Sequence, residues 1–249
     1  MAKILVLNRM HLDEWPSDAV ARILTSLKGH RDIIGYSREA PPVGWKQRGY
    51  EDNITDCFPG SLSGNREQRE AWRITKLARK TDLVLDIHGT RNNGWDYPFH
   101  GPADCSSPLV AGTASLLGCE RVAVLHAPHP AGVLPNYIGW DLSPTTAVLS
   151  YLRHWLTDLT GGWTPPARPM TEYRIVDGIR AADAMRLGLR RDYPPFGRLP
   201  DTAMRALGLP TPAYAFSWGA DLYRETGYWG EVAVPTATDK PTDKPTDKP

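Results

Sequence analysis

The chain has 249 residues, of which 41% are hydrophobic and 23% are charged, and its formal net charge is +1. This ordinary globular composition excludes a chain that is disordered, collagen-like or coiled-coil as a whole. The balanced charge gives no electrostatic footprint for nucleic acid or an anionic membrane, and no apolar run approaches the roughly 18 residues of a membrane helix. Three scattered cysteines and an N-terminus without signal-peptide features lead us to expect a cytoplasmic protein.

Strands and helices alternate over the first 160 residues. The stretch 82–87 is a continuous apolar run, which is typical of a buried central strand. In chain order we predict strands at 3–7, 32–36, 82–87, 121–125 and 137–142, and helices at 18–27, 66–80, 108–117 and 144–159. This alternation predicts an α/β/α sandwich around a mostly parallel mixed sheet.

The composition and hydrophobic pattern of the chain change after Gly161-Gly162 and Pro165-Pro166. Short β-like runs lie at 172–176, 213–218 and 230–234 among many prolines and glycines. The final residues repeat Thr-Asp-Lys-Pro three times, a composition that cannot form a core. We therefore predict a catalytic domain over 1–162, a small β-rich C-terminal domain over 163–235 and a disordered tail over 236–249.

Potential metal ligands follow two of the predicted strands. His11 and Glu14 come just after the first strand, three residues apart, and His88 comes directly after the strand at 82–87. Two histidines and one glutamate form a known catalytic zinc set that leaves a position for water. Asp86 lies two residues before His88, so both side chains face the same way, and Asp86 is suited to hold the second ring nitrogen of His88.

Arg48 and Asp141 are further polar residues in or beside predicted loops. Taken one at a time, all these signals have ordinary structural explanations. A histidine near a strand end is often a satisfied structural residue, and Asp141 could cap the helix that begins near Pro144.

The order of the segments carries more information than any one of them. Five segments follow one another along the chain: His11-Leu12-Asp13-Glu14, Arg48 ten residues before Phe58, Asn53–Gly60, Asp86-Ile87-His88 and Gly139–Pro144. This arrangement resembles the aspartoacylase/succinylglutamate desuccinylase family, a branch of the zinc carboxypeptidase superfamily. That family carries H-G-N-E, an upstream Arg, D-L-N-R-x-F-P-G, D-L-H and G-I-E-V-G-P in the same order.

The resemblance implies a zinc-dependent amidohydrolase that acts on a small molecule. By this resemblance His11, Glu14 and His88 bind one Zn²⁺ per chain, and Arg48 polarises the scissile carbonyl. Asp141 takes the place of the catalytic glutamate. It is one methylene shorter, and a misplacement of about 1 Å can cost around a hundredfold in rate. A peptidase of the zinc carboxypeptidase type and a non-catalytic descendant remain alternatives.

The substrate-binding positions depart from the family pattern. The family's Asn-Arg pair, which grips a substrate carboxylate, aligns with Thr55-Asp56, and Tyr223 falls near the family's substrate-facing tyrosine. Bidentate binding of a carboxylate needs arginine, so we expect neither aspartoacylase nor succinylglutamate desuccinylase specificity. The alternative is that Asp56 faces solvent and that another cation anchors the substrate: Arg66, Arg69 or Arg91.

Overall fold

The computed structural model describes residues 2–14, 16–43, 45, 47–89, 97–102, 107–116, 121–125, 129–142, 148–162, 171–218 and 227–236. The predicted tail lies outside this part of the chain, apart from Thr236. In the described ranges, no helix is both long enough and apolar enough to cross a membrane.

One sheet runs through the molecule. The described residues contribute nine strands to it: β1 (Ile4–Asn8), β2 (Ile33–Ser37), β3 (Leu83–His88), β4 (Tyr97–His100), β5 (Arg121–Val124), β6 (Tyr137–Asp141), β7 (Thr171–Arg180), β8 (Tyr214–Phe216) and β9 (Tyr228–Pro235). Their order in the sheet is β2-β1-β3-β6-β4-β5-β7-β9-β8. The pairs β2/β1, β1/β3, β3/β6, β4/β5 and β5/β7 are parallel. The predicted mostly parallel mixed α/β sheet is thereby confirmed.

Helices cover both faces of the sheet. Within the described ranges they are α1 (Ser17–Ser26), α2 (Arg66–Ala78), α3 (Pro108–Leu116), α4 (Pro130–Val133), α5 (Val148–Thr160), α6 (Ala181–Arg186) and α7 (Asp201–Ala206), with a 3-10 helix at Ile54–Cys57. Helix α2 begins at a capping box in which the Asn65 side chain accepts from the Gln68 N–H and the Gln68 side chain accepts from the Asn65 N–H. Of the helix predicted at 144–159, residues 144–147 lie outside the described part.

Side-chain alternation along the strands separates two cores. Leu83, Leu85 and Ile87 of β3 pack with α1, α3 and α5 on one face. On the other face, Val84 joins a core formed with α2 and the 3-10 helix. Because residues two apart in a strand share a face, Asp86 and His88 point to the same side as Val84. The α2 face of the sheet therefore receives the polar end of β3.

The sheet continues past the predicted domain boundary at residue 162. Strand β7 pairs in parallel with β5, and β9 and β8 follow as antiparallel strands. Three aromatic residues of the C-terminal part, Tyr173, Phe196 and Phe216, join the core on the α2 face. A separate apolar cluster lies around Met204 and Trp218. The division into two domains stays a prediction.

Strand β4 and the short helix α4 were not predicted from the sequence. Pro98 lies inside β4, and proline lacks the N–H that a sheet ladder uses, so the segment does not have the pattern of a central strand. Even so, β4 pairs with β6 on one side and with β5 on the other. It matters for function because it brings Phe99 beside His88.

Candidate metal centre and active site

The candidate site lies at the carboxyl ends of three neighbouring strands. Asn8, the last residue of β1, is in register with Ile87 of β3, and His88 is in register with Asp141 of β6. In parallel α/β sheets this edge is where ligands bind, because the loops that follow the strands converge there. The loop after β1 brings His11 and Glu14 to the same edge.

Three buried side chains converge at this edge. The Nδ1 atom of His11 lies 2.7 Å from Oε1 of Glu14, and the Nδ1 atom of His88 lies 2.8 Å from the same oxygen. The two Nδ1 atoms are 3.3 Å apart. One potential ligand atom from each residue lies within 4.8 Å of the others. Two imidazole nitrogens and one carboxylate suit zinc and leave coordination positions open, so the donor set fits the implied metal.

Asp86 and Tyr137 hold the far side of His88. The Nε2 atom of His88 is 2.7 Å from Oδ2 of Asp86, and the Tyr137 hydroxyl donates to that same oxygen over 2.6 Å. This arrangement reserves Nε2 for the carboxylate and aims Nδ1 at the ligand cluster.

The charge states at the centre differ between its two histidines. Burial, and next the Arg48 charge, lower the pKa of His11 to about 3. Burial alone would lower the pKa of His88, but Asp86 and Glu14 outweigh it and raise that pKa well above its usual value. Burial opposes ionisation of Glu14, yet His88 and His11 lower its pKa well below the ordinary range. Without a metal, the surroundings therefore favour the neutral form of His11, the carboxylate form of Glu14 and the protonated form of His88.

Arg48 lies against the first of these ligands. Its Nη2 atom is 2.6 Å from both ring nitrogens of His11, and its carbonyl accepts from the Leu12 N–H over 3.0 Å. Its Nε atom is buried and has no hydrogen-bond partner within the described part of the chain. A guanidinium in this position can stabilise negative charge that develops next to the ligand cluster.

Asp141 ends β6 beside His88. Residues in register on neighbouring strands project to the same face, so its buried side chain lies on the side of the sheet that carries the ligands. The alternative role as a helix cap involves residues 143–147, which are outside the described ranges.

The predicted substrate-binding residues have different surroundings. Thr55 is buried in the 3-10 helix, whereas Asp56 is exposed. Tyr223 lies outside the described residues, as does Arg91. The two remaining arginines have partners that are not members of the ligand cluster. Arg66 lies over the Tyr50 ring and pairs with Glu39, and Arg69 donates to the Gly64 carbonyl.

Three aromatic residues neighbour the centre. Sequence patterns did not select Phe99 or Tyr137, whereas His129, in a proline-rich loop, was open to a structural or a site-facing role. The centroid of the Phe99 ring lies 5.3 Å from that of the His88 ring. The ring centroids of His129 and Tyr137 lie 5.6 and 6.1 Å from that of Phe99. His129 accepts from the Ala131 N–H through Nδ1, and burial lowers its pKa well below the usual value. The one available signal was the spacing of Tyr137 and Asp141, which places both on one face of a strand.

Two solved structures show the same fold. A succinylglutamate desuccinylase from Chromobacterium violaceum superposes with a TM-score of 0.66 at 15% identity, covering 96% of this chain and 86% of that one. Murine aminoacylase 3 superposes with a TM-score of 0.63 at 14% identity, covering 94% of this chain and 95% of that one. No protein-family model matches the chain, and no curated protein matches it by sequence. The resemblance found in the motifs is thereby confirmed for the fold.

Proposed function

We propose that this protein is a zinc-dependent amidohydrolase that removes an acyl group from the nitrogen of a small molecule. The observation that carries the proposal is the convergence of His11 Nδ1, His88 Nδ1 and the Glu14 carboxylate at a buried sheet edge. The fold shared with proteins named succinylglutamate desuccinylase and aminoacylase 3 supports the same reaction class.

The residues around the ligands suit hydrolysis of an amide. Zinc, when bound, supplies a Lewis acid that lowers the pKa of water from 15.7 to about 7. Asp141 accepts a proton from the attacking water and returns it to the leaving nitrogen. Arg48 stabilises the oxyanion as the carbonyl carbon becomes tetrahedral. Asp86 keeps the ring of His88 in one orientation throughout.

The substrate is proposed to carry a neutral or cationic amine portion. Thr55-Asp56 replaces an Asn-Arg pair, and both described arginines that could have substituted, Arg66 and Arg69, have other partners. An acidic substrate therefore lacks a bidentate cation at this position. N-acylated amines and neutral N-acyl-amino compounds are the first substrates to screen, with N-acetylaspartate and succinylglutamate as negative comparisons.

The metal content of the purified protein tests the centre. Plasma mass spectrometry should find about one zinc per chain, and the His88→Ala variant should lose it, since three protein ligands are the minimum of such a site. The control is His154→Ala, which changes an exposed histidine on α5 and should keep the metal. A native protein that takes up no zinc, even when zinc is supplied, would overturn the hydrolase and favour a non-catalytic descendant.

Asp141→Asn tests the catalytic carboxylate. It should lower kcat by about 10²–10⁴ while zinc stays bound, because general acid–base catalysis contributes this much. Asp158→Asn, an exposed change on α5, should leave kcat unchanged. Loss of zinc together with activity in Asp141→Asn would instead identify Asp141 as part of the metal site.

A further inference from the structure

A buried ion pair between Arg38 and Glu67 lies between the loop that carries His11 and Glu14 and the core on the α2 face of the sheet. Nη2 of Arg38 is 2.8 Å from Oε1 of Glu67, and the two side chains are 2% and 0% exposed. Removing two charges from water is costly, and their attraction compensates only when the remaining donors and acceptors are also satisfied. The partners of this pair therefore show what it connects.

Glu67 binds the segment that follows Arg48. Its Oε1 atom accepts from the Tyr50 N–H over 2.9 Å, and its Oε2 atom accepts from the Glu51 N–H over 3.3 Å. Burial by itself would raise the pKa of Glu67, but the Tyr50 amide and Arg38 outweigh it and lower that pKa. The Arg48 carbonyl itself accepts from the Leu12 N–H. The backbone at and just after Arg48 is thus bound both to α2 and to the loop that carries His11.

Arg38 binds the segment that precedes His11. Its Nη1 atom donates to the Met10 carbonyl over 2.8 Å. Its backbone is bound to the end of β1, because the Arg38 N–H donates to the Asn8 carbonyl. The Arg38 carbonyl in turn accepts from the Arg9 guanidinium. A planar guanidinium can bind two acceptors at fixed angles, so one side chain joins the carbonyl next to His11 to the carboxylate of Glu67.

We propose that the Arg38–Glu67 pair positions Arg48 against His11 by tying their two loops to each other and to α2. Among the described residues, no hydrogen bond or ion pair joins Arg38 or Glu67 to His11, Glu14 or His88, so both act as positioning residues. Their effect on catalysis rests on the proposed function, whereas their effect on the two loops does not. A shift of about 1 Å in a catalytic group can cost around a hundredfold in rate, so the pair would act mainly on kcat.

Amide hydrogen exchange in Glu67→Gln tests the positioning directly. The neutral amide side chain places an N–H donor against one of two backbone donors, so the bonds to Tyr50 and Glu51 cannot both survive. We expect exchange at Tyr50, Glu51 and Leu12 to accelerate at least about tenfold, with Leu85 in β3 unchanged. The zinc content should stay at the native level, and kcat should fall far more than KM changes.

Ile74→Val is the matched control for a purely structural loss. Ile74 is buried on the same helix α2 and packs in the same core, and its apolar side chain makes no hydrogen bond to either loop. The Ile74→Val variant should keep the native kcat. The exchange rates of the Tyr50, Glu51 and Leu12 amides, each divided by that of Leu85, should also stay at their native values. If Glu67→Gln behaves as this control does, or if its three loop amides exchange within twofold of the native rate, the proposal is wrong.

Arg38→Lys keeps the charge and gives an independent result if Glu67→Gln does not fold. A single ammonium lacks the geometry to bind both Met10 and Glu67 as the guanidinium does, so exchange at Leu12 should accelerate. An unchanged Leu12 amide would overturn the proposal. Absence of zinc and of hydrolysis in the native protein would count against the proposed function alone, because the exchange comparison does not depend on either.

Discussion

The proton on His88 governs how the metal centre responds to pH. With both Asp86 and Glu14 against its ring, the pKa of His88 lies well above its usual value in the metal-free protein. His11 is already neutral at pH values above about 3, and Glu14 is already ionised. A metal ion that binds Nδ1 of His88 therefore has to displace the proton on that nitrogen.

We predict that the affinity for zinc rises about tenfold per pH unit between roughly pH 5.5 and 7.5, because one bound proton is released for each metal bound. Competition with a chromophoric chelator at several pH values measures this slope. In the matched variant Asp86→Asn the pKa of His88 falls, so the slope should flatten at a lower pH than in the native protein. A slope near zero in the native protein would mean a neutral His88, and a slope of two would mean that His11 also carries a proton.

At the same scale, the sequence points to the candidate ligands but not to the residues that support them. His11, Glu14 and His88 could be selected because their residue types and their positions after strands are chemically specific. Asp86 followed from its place two residues before His88. Tyr137 could not be selected, since its bond to Asp86 depends on the register of β6 against β3, which no local pattern records.

Among the elements, the contact between β6 and β4 supports the centre most directly. Gly139 of β6 is in register with Phe99 of β4, and a Cβ at Gly139 would overlap the Phe99 ring. The ring in turn packs against His88. A glycine at this position therefore lets an aromatic side chain lie across the strand and reach His88.

We expect Gly139→Ala to lower the free energy of unfolding by about 1–3 kcal/mol, as overpacking in a core does. It should also weaken zinc binding, because the displaced ring presses on His88. Denaturant unfolding and chelator competition measure the two effects. Adding Phe99→Leu should recover part of both, giving a non-additive pair. Gly178→Ala in β7, where a Cβ meets Tyr228 at 3.0 Å, should leave zinc binding unchanged. Equal zinc affinity in Gly139→Ala and the native protein would contradict this account.

Elements with strong local periodicity were predictable, and elements defined by partners were not. The sequence-based limits of α2 were 66–80, and the helix spans Arg66–Ala78, since its capping box and apolar stripe are local signals. Strand β4 has four residues, one of which is a proline, and its position in the sheet depends on pairing with two strands that are distant in sequence. Its absence from the predicted elements also hid Phe99 as a neighbour of the centre.

At the scale of the whole molecule, the C-terminal strands complete the sheet that carries the site. Strand β5 lies between β4 and β7, so the chain after residue 162 covers what would otherwise be an open edge. Tyr173, Phe196 and Phe216 pack in the same core as Leu7 of β1 and Ala123 of β5. The composition change near residue 162 is therefore not accompanied by a break in hydrogen bonding between strands.

A chain ending at residue 162 is accordingly expected not to fold cooperatively. Losing the burial of three aromatic side chains removes roughly 5–9 kcal/mol of folding free energy. This is comparable to the whole free energy of unfolding of a typical domain, roughly 5–15 kcal/mol. Thermal unfolding followed by circular dichroism should show no sharp transition for residues 1–162. The matched control, a chain ending at residue 236, keeps all nine described strands and should unfold within about 2 °C of the full chain. A cooperative transition in the 1–162 chain would show instead that the first six strands form an independent folding unit, as the composition of the sequence suggests.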